Sequence, residues 1–549
     1  MKNITLTIFK ILSRYGWTAT LLLLALFAVG FTWSSSDELY VNIRLFDKAA
    51  LVISNNYVEK VDGEELIQAG IEGMVSRLDR FSKFLSGPDY LNLLQETDGE
   101  FEGIGVSLEF HHDTLTVESV LEGTPAYYGG IKPGDRVTAI DGKDTDKMDM
   151  TAIRTLLRGP KYSVIKLRIH RPDAGDLDFA ITRDVVEIEP VAYLGMVDSR
   201  IGYIRLARFS EESSKDVRRA VRHLQLEGMQ SLILDLRDNP GGLLIEAVKV
   251  AGMMLPGGAP VATTRGRMEN TAVSYKSEGE GDFQEGTLAV IVNGQTASAA
   301  EILAGAIQDH DRGVIIGTPT FGKGLVQQIM EFSESSALKL TTAKYYLPSG
   351  RCLQKSDWTS APDGVGMAGT GDSLFVTRSG RQVFGGGGIM PDIYVEESDI
   401  SDYSDYLRRE SCFFDFSVEY IKSHRVDSSF LVNDAILEEF KRFLNSRDLQ
   451  YQNGQRMAYI TLHDELRSAS RAAGDALRVL DSEIASVERW QFESNVTEIK
   501  DILRETILGQ ALGESVLYQE VWIPEQAEIR QAIDVLSDSQ QYGSILSSN

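Results

Sequence analysis

Cysteine is scarce in this chain of 549 residues: Cys352 and Cys412 are the only two. Two thiols so far apart in sequence do not make a disulfide framework, although they could pair in an oxidising compartment. Histidine is nearly as rare, with seven residues, and no Cys/His cluster has zinc-ligand spacing. No phosphate-binding glycine loop with its lysine and hydroxyl residue occurs either, so we expect no metal and no cofactor. Positive charge is in deficit, with 55 Lys and Arg against 80 Asp and Glu and a net charge of −25. That balance argues against nucleic acid as a partner and against a polybasic membrane patch. The hydrophobic fraction is ordinary, so most of the chain should be globular. A chain this long exceeds one hydrophobic core and implies three or four domains.

One long apolar run stands out. Lys2, Lys10 and Arg14 precede the stretch from Gly16 to Trp33, which approaches the ~18–20 residues needed to span a bilayer. It reads as a signal peptide or an uncleaved signal anchor within residues 1–36. Ala28-Val29-Gly30 is only a mediocre cleavage site, which favours the anchor. In both cases the positive flank stays in the cytoplasm and the remainder is exported. The expected address is the bacterial periplasm, anchored to the inner membrane by residues 16–33 or released after signal cleavage.

The chemistry concentrates in Asn293-Gly-Gln-Thr-Ala-Ser-Ala-Ala-Glu301 and Thr320-Phe-Gly-Lys-Gly-Leu-Val-Gln327. Thr287 to Val292 is a short apolar, β-branched run closed by Asn293-Gly294, and reads as a buried strand. From Ala297 onward Ile302, Leu303, Ala306 and Ile307 recur at helical spacing. Ser298 thus sits where a strand hands over to a helix N-terminus, whose unpaired N–H groups and dipole can stabilise an oxyanion. A plain serine N-cap is the commoner occupant of such a position. Lys323 shifts that balance. A lysine acts as a general base only when neutral, which requires lowering its pKa from ~10.4 by burial away from carboxylates. Gly322-Lys323-Gly324-Leu325-Val326 carries no acidic residue and leads into an apolar run. A solvated loop lysine is the default alternative. Gln327 either orients the lysine, contacts substrate, or is a polar strand residue.

Ser231 to Leu236 reads as a second buried strand, ending in Arg237-Asp-Asn-Pro-Gly-Gly242 ahead of a helix starting near Leu243. Paired glycines at the carboxyl end of a strand let backbone N–H groups approach a ligand closely. Arg312 to Gly317 reads as the next strand. Such strand–loop–helix units suggest a β/α core with its site at the strands' carboxyl ends. A Ser-His-Asp triad built on Ser298, His310 and Asp235 is the competing arrangement. His310, however, falls at the far end of the helix that Ser298 begins, about 15–18 Å away at 1.5 Å per residue. A histidine capping helix carbonyls suits it better.

In order and spacing these motifs resemble the carboxy-terminal processing peptidases, or tail-specific proteases. The resemblance is carried by Gly202-Tyr-Ile-Arg-Leu206, Asp235-Leu-Arg-Asp-Asn-Pro-Gly-Gly242, Thr296-Ala-Ser-Ala-Ala-Glu301, Gly317-Thr-Pro-Thr-Phe-Gly-Lys-Gly324 and Leu340-Thr-Thr-Ala-Lys-Tyr-Tyr-Leu-Pro-Ser-Gly-Arg351. The family's serine motif often reads Ser-Ala-Ser-Ala-Ser-Glu; this chain keeps the central serine. The resemblance implies that Ser298 is the nucleophile, Lys323 the base and Gln327 the residue positioning that lysine. It further implies an oxyanion hole from the N–H of Ala299 and that of Gly241 or Gly242.

Ahead of the core, Gly103-Ile-Gly-Val-Ser-Leu-Glu109, Gly123-Thr-Pro-Ala126, Gly130-Ile-Lys-Pro-Gly-Asp135 and Ala139-Ile-Asp-Gly142 resemble the PDZ domains of bacterial proteases. A PDZ domain takes an extended peptide as an added strand and holds its terminal carboxylate on backbone N–H groups. Gly103, Ile104, Gly105 and Val106 form the candidate loop for that grip. His111 and His112 follow in the same strand region and read as exposed.

The fold implied is α/β multidomain, a ClpP/crotonase-like β/α protease core with an inserted PDZ domain and flanking helical regions. The expected boundaries are 37–97 for an N-terminal helical region, 98–187 for the PDZ domain, 188–395 for the protease core and 396–549 for a helical C-terminal extension. The last of these reads as packing on the core or forming an oligomer contact, with a docking surface as the alternative. Partners implied are protein substrates with accessible C-termini, an adaptor or regulator, and a second copy in a homodimer. The function implied is a Ser-Lys serine endopeptidase. A catalytically silent PDZ peptide-binding scaffold is the alternative, against which the complete Ser298/Lys323/Gln327 set speaks.

Overall fold

A computed structural model of the chain describes residues 39–267, 272–279, 281–333, 335–355, 373–396, 400–447, 449, 451, 454–466 and 471–547. The apolar run at 16–33 lies outside the described residues. Among the described residues, no helix is long and apolar enough to cross a membrane. The chain divides after Phe84 into two compact units.

The first unit is helical over 39–56 and over α1 (Gly63–Val75). Asp62 caps α1 by accepting from the N–H groups of Glu64 and Glu65, satisfying two of the donors a helix start leaves open. Leu39, Val41, Leu45 and Leu51 on the 39–56 helix are exposed.

The second unit opens with α2 (Pro88–Asp98) and then builds an antiparallel sheet. Its strands are β1 (Glu100–Gly103), β2 (Val106–His111), β3 (Thr114–Val120), β4 (Arg136–Ile140), β5 (Lys143–Asp144), β6 (Val164–Arg171), β7 (Gly175–Thr182) and β8 (Asp184–Glu187), with α3 (Pro125–Gly129) and α4 (Met150–Leu157) between them. The sheet order is β2-β3-β4-β6-β7 with β5 paired to β4, while β1 and β8 pair separately. β2 is therefore an edge strand. β6 alternates buried Ile165, Leu167 and Ile169 with exposed residues, as a sheet with one covered face requires.

The larger sheet runs β9 (Val191–Met196), β10 (Ile201–Leu206), β11 (Ser231–Asp235), β14 (Thr287–Val292), β15 (Val314–Gly317) and β18 (Ile393–Tyr394). Between these lie α5 (Ser213–Leu226), α6 (Leu244–Met254), β12 (Pro260–Gly266), β13 (Val273–Lys276), α7 (Ala299–Asp309), β16 (Leu325–Ser333) and β17 (Ser336–Tyr346). β9 is antiparallel to β10; the remaining pairs are parallel. Parallel strands are covered on both faces, which is why β11 and β14 read as unbroken apolar runs rather than alternating ones. On one face Leu232, Leu234, Leu288, Val290 and Val292 pack with residues of α5, α6 and α7. On the other, Ile233, Ala289 and Ile291 pack against Tyr518, Ile523, Ile529, Ala532 and Val535 near the end of the chain.

The helices after the core include α8 (Asp402–Arg409), α9 (Cys412–Ser423), α10 (Asp434–Asn445), α11 (Gly454–Leu466), α12 (Arg471–Ser494), α13 (Val496–Leu512), α14 (Ala527–Ser537) and α15 (Ser539–Leu546). α9, α10 and α13 share their own core around Phe413, Phe416, Phe440 and Leu503. Cys352 and Cys412 are both free and buried, and burial pushes the Cys412 thiol up to about 12. The pairing left open by the sequence does not occur. His111 is buried, contrary to the sequence expectation, because Phe414 on α9 lies against its ring at 4.6 Å.

Candidate active site

β11 and β14 are parallel neighbours, so the loops leaving their carboxyl ends lie side by side. Hydrogen bonds tie them together. Asn293 Nδ2 donates to Asp238 Oδ1, the Asp238 N–H donates to Asn293 Oδ1, and Thr296 Oγ1 donates to the Leu236 carbonyl. The Ala297 N–H donates to the Asn239 carbonyl at 2.9 Å. Ser298 stands at the end of this stitched segment, directly before the first residue of α7. Its backbone has φ 55° and ψ −115°, a region that costs a non-glycine residue about 1–3 kcal/mol. A strained residue persists only where its surroundings over-determine it.

Glu301 supplies that constraint. It is completely buried, and both carboxylate oxygens are filled by donors from two loops. Oε2 accepts the Ser298 N–H at 2.8 Å and the Lys323 N–H at 2.9 Å. Oε1 accepts from Thr320 Oγ1 at 2.6 Å and the Gly322 N–H at 2.7 Å. Burial pushes this carboxyl up, and the four donors oppose that shift. The two proposed reactive residues are thus joined through one buried side chain. Their backbone nitrogens, sharing an acceptor, lie within about 6 Å of each other. Glu301 belongs to the motif read from the sequence but was assigned no role there. The Ser-x-x-Glu spacing of a capping box was the available signal.

Gly241 and Gly242 follow β11 with φ 95° and 131°. A Cβ on Gly241 would fall 2.7 Å from the Ala297 carbonyl oxygen, 2.8 Å from the Ala299 nitrogen and 2.8 Å from Ser298 Cβ. One on Gly242 would fall 2.0 Å from the Phe209 carbonyl oxygen. Only glycine permits this approach of the loop to Ser298. The Gly241 N–H donates to Asn239 Oδ1 at 2.9 Å. Among the described residues, the N–H groups of Gly242 and Ala299 have no hydrogen-bond partner. Of the sequence-proposed donors, those two remain available to a ligand.

Lys323 lies in the loop before β16, which is pinned on its far side where the Gly324 N–H donates to Gln354 Oε1 at 3.0 Å. Gln327 lies on β16, and its Nε2 donates to Thr341 Oγ1 of β17 at 3.3 Å. His310 is the C-cap residue of α7, and its Nε2 bonds the Pro260 carbonyl on β12 at 2.7 Å rather than the helix's own carbonyls. It stands at the opposite end of α7 from Ser298. Asp235, the other member of the competing triad, is completely buried and engaged elsewhere. It accepts from Tyr203 Oη at 2.7 Å and from the guanidinium groups of Arg205 and Arg237. Burial by itself would raise its pKa, but Arg237 and Arg205 hold the carboxyl well below the usual carboxylate range.

Gly103, Ile104, Gly105 and Val106 sit in the smaller sheet, at the turn from β1 into the edge strand β2. The carbonyls of Ile104 and Gly105 accept from the Ala126 and Leu121 N–H groups, whereas the N–H groups of Ile104 and Gly105 have no partner among the described residues. A free strand edge beside free N–H groups suits an added strand with a terminal carboxylate. Glu109, His111 and Glu118 on β2 and β3 have metal-ligand spacing, but His111 Nε2 and Glu118 Oε2 already bond each other at 2.8 Å.

Four family models match stretches of the chain. A model of peptidase family S41 matches residues 200–364 and a PDZ-domain model matches 116–171. A model of the probable PDZ-protease C-terminal helical domain matches 403–536, and one of the activating protease CtpB N-terminal domain matches 32–86. The chain is 35% identical over 336 residues to the carboxy-terminal-processing protease of Bartonella bacilliformis, covering 60% of this chain and 77% of that one. It is 35% identical over 335 residues to the carboxyl-terminal-processing protease of Synechocystis sp., covering 59% and 77%. It is 34% identical over 310 residues to the carboxy-terminal processing protease CtpA of Bacillus subtilis, covering 56% and 66%.

Proposed function

Because the chain belongs to the carboxy-terminal processing proteases of peptidase family S41, we propose that Ser298 and Lys323 are the nucleophile and general base of its peptidase reaction. The observation supporting this assignment is the single carboxylate oxygen, Glu301 Oε2, on which both backbone N–H groups converge. The amine of Lys323, in its neutral form, takes the proton of Ser298 Oγ as that oxygen attacks the scissile carbonyl. The new C–O bond places negative charge on the carbonyl oxygen, where the N–H groups of Ala299 and Gly242 donate to it. Collapse breaks the C–N bond, the lysine returns its proton to the leaving amine, and an ester to Ser298 remains. Water activated by the lysine hydrolyses the ester and frees the enzyme. Gln327, on the strand that the lysine loop enters, is assigned to positioning Lys323.

The PDZ domain binds peptide, and substrates are proteins with accessible C-termini. We assign the terminal carboxylate to the N–H groups of Ile104 and Gly105, with the peptide added along β2. The exposed apolar residues of the 39–56 helix support a homodimer through that segment, since contiguous exposed apolar surface marks an association site. An adaptor or regulator that docks on the helical extension remains part of this reading. So does export to the bacterial periplasm with residues 16–33 as anchor, for which the basic flank of that run is the support.

The test uses purified full-length protein and an unfolded model protein with a free apolar C-terminus. Cleavage by wild type, absent in Ser298→Ala and in Lys323→Ala at unchanged folding, is expected. Near-normal cleavage by Lys323→Ala would sink the dyad. Cleavage by none of the three would favour a peptide-binding scaffold.

A further inference from the structure

The catalytic loop after β11 is held from behind by the end of the chain. Arg237, two residues past the last residue of β11, donates from Nε and Nη2 to Asp235 at 3.0 and 2.5 Å. Its Nη2 also donates to Gln526 Oε1 at 2.8 Å, and its Nη1 lies 3.4 Å from Glu528 Oε2. Gln526 is the N-cap residue of α14 and Glu528 lies in its first turn, mostly buried. Arg205 completes the group, bonding Asp235 on one side and Asp238 on the other. One buried carboxylate, Asp235, faces both guanidinium groups, with Asp238 beside Arg205 and Glu528 beside Arg237 as the further negative charges. Net stabilisation does not account for such a cluster, since buried ion pairs roughly break even against apolar packing. What the cluster does is fix where Arg237 stands.

That position matters for the site. Arg237 leads directly into Asp238-Asn239-Pro240-Gly241-Gly242, whose Asn239 carbonyl takes the Ala297 N–H and whose Gly241 leaves no room for a Cβ beside Ser298. The neighbouring packing is equally close. Tyr518 stacks on Tyr193 of β9 at 4.5 Å and approaches Tyr203 of β10 at 6.1 Å, so the chain enters α14 along the back of the same strands.

We propose that Gln526 and Glu528 are positioning residues of the peptidase, holding Arg237 so that the Asn239–Gly242 loop stands at oxyanion distance from Ser298. The C-terminal helical segment is then a working part of the catalytic core. This inference rests on the assignment of Ser298 and of that loop given above.

The test compares wild type, the Gln526→Ala/Glu528→Gln double variant, Gln526→Glu and Ser298→Ala, all as full-length protein. Turnover of an unfolded protein is normalised to active sites titrated with a serine-directed reagent. In the double variant kcat should fall about tenfold or more, short of the ~10²–10³ lost when an oxyanion donor is deleted. KM should stay within about twofold. Gln526→Glu keeps an acceptor for Arg237 and should retain kcat within about twofold of wild type. Hydrogen exchange supplies a reading independent of turnover: amides of 238–243 should exchange faster in the double variant while those of α14 stay protected. Unchanged exchange in that loop, or unchanged kcat per titrated site, overturns the inference. Loss that follows the folded fraction, with α14 itself deprotected, also overturns it, because the role would then be stability alone. Turnover persisting in Ser298→Ala would instead remove the nucleophile assignment, and the exchange data would still decide the positioning role.

Discussion

Ser298 and Lys323 donate their backbone N–H groups to the same oxygen atom, Glu301 Oε2, at 2.8 and 2.9 Å. A helix start normally satisfies such donors with its own cap, so a side chain shared between two loops sets a distance as well as a bond. The carboxylate is suited to this because it only accepts, and all its acceptor positions face donors. Glu301→Gln keeps the shape but turns one of those oxygens into an amide NH2, which only donates. At Oε2 it would oppose the N–H groups of both Ser298 and Lys323, and at Oε1 that of Gly322 beside a Thr320 hydroxyl that can turn to accept, at a cost of about 1–3 kcal/mol in folding stability. We expect a lowered thermal midpoint and a fall in kcat larger than any change in KM. Unchanged kcat despite a lowered midpoint would mean that disturbing the donors around Glu301 does not disturb the Ser298–Lys323 geometry.

The legibility of this arrangement in the sequence was uneven, for physical reasons. Thr287–Val292 and Ser231–Asp235 were readable as buried strands because both faces of a parallel sheet are covered, which leaves an unbroken apolar run. The helix after Ser298 was readable from its 3.6-residue period. The partner of Arg237 was not, because Gln526 lies 289 residues away and nothing local to either residue specifies the contact. The choice between Gly241 and Gly242 turns on Asn239 accepting one N–H, a loop geometry that composition does not encode. The C-terminal segment showed amphipathic helices, but amphipathicity does not say which surface is covered; here it is the second face of the core sheet. His111 looked exposed because the residue that buries it, Phe414, comes from another part of the chain.

The backbone of Ser298 separates activity from stability. At φ 55° alanine retains the strain that serine carries, whereas glycine relieves it. Glycine's greater unfolded-state entropy offsets part of that gain. Ser298→Gly should therefore be more stable than Ser298→Ala by about 1 kcal/mol, while neither cleaves substrate. Chemical denaturation of the two variants measures the difference. Equal midpoints would show that the positive φ is not held in solution.

The Asp235 cluster predicts a pH window. Its carboxyl is depressed in the folded protein, so its stabilising contribution is complete above the unfolded value of ~3.9 and is lost as pH falls toward the folded value. From pH 5 to 8 this cluster should add no pH dependence to stability. Asp235→Asn leaves Arg205 and Arg237 without their shared counter-charge and should cost about 3–5 kcal/mol across that whole range. Unfolding titrations at several pH values would show it. A cost that vanished at pH 5 would mean that Asp235 is already protonated there.

Tail recognition should be separable from hydrolysis at Gly105. Its φ is +79°, and a Cβ there would fall 2.4 Å from Thr124 Cβ. Thr124 cannot yield freely, since its Oγ1 donates to the Leu121 carbonyl at 2.6 Å. Gly105→Ala therefore displaces the loop that presents the Ile104 and Gly105 N–H groups. We expect affinity for a C-terminal peptide to fall about tenfold, or 1.4 kcal/mol. The proposed catalytic residues lie on the other sheet's loops, so hydrolysis of an unstructured protein should change by less than about twofold. Fluorescence-detected peptide binding and turnover, measured on the same preparation, supply the comparison. Equal losses in both would count against a tail-reading role for this loop, because the substitution would then be acting on the enzyme as a whole rather than on capture of the C-terminal peptide.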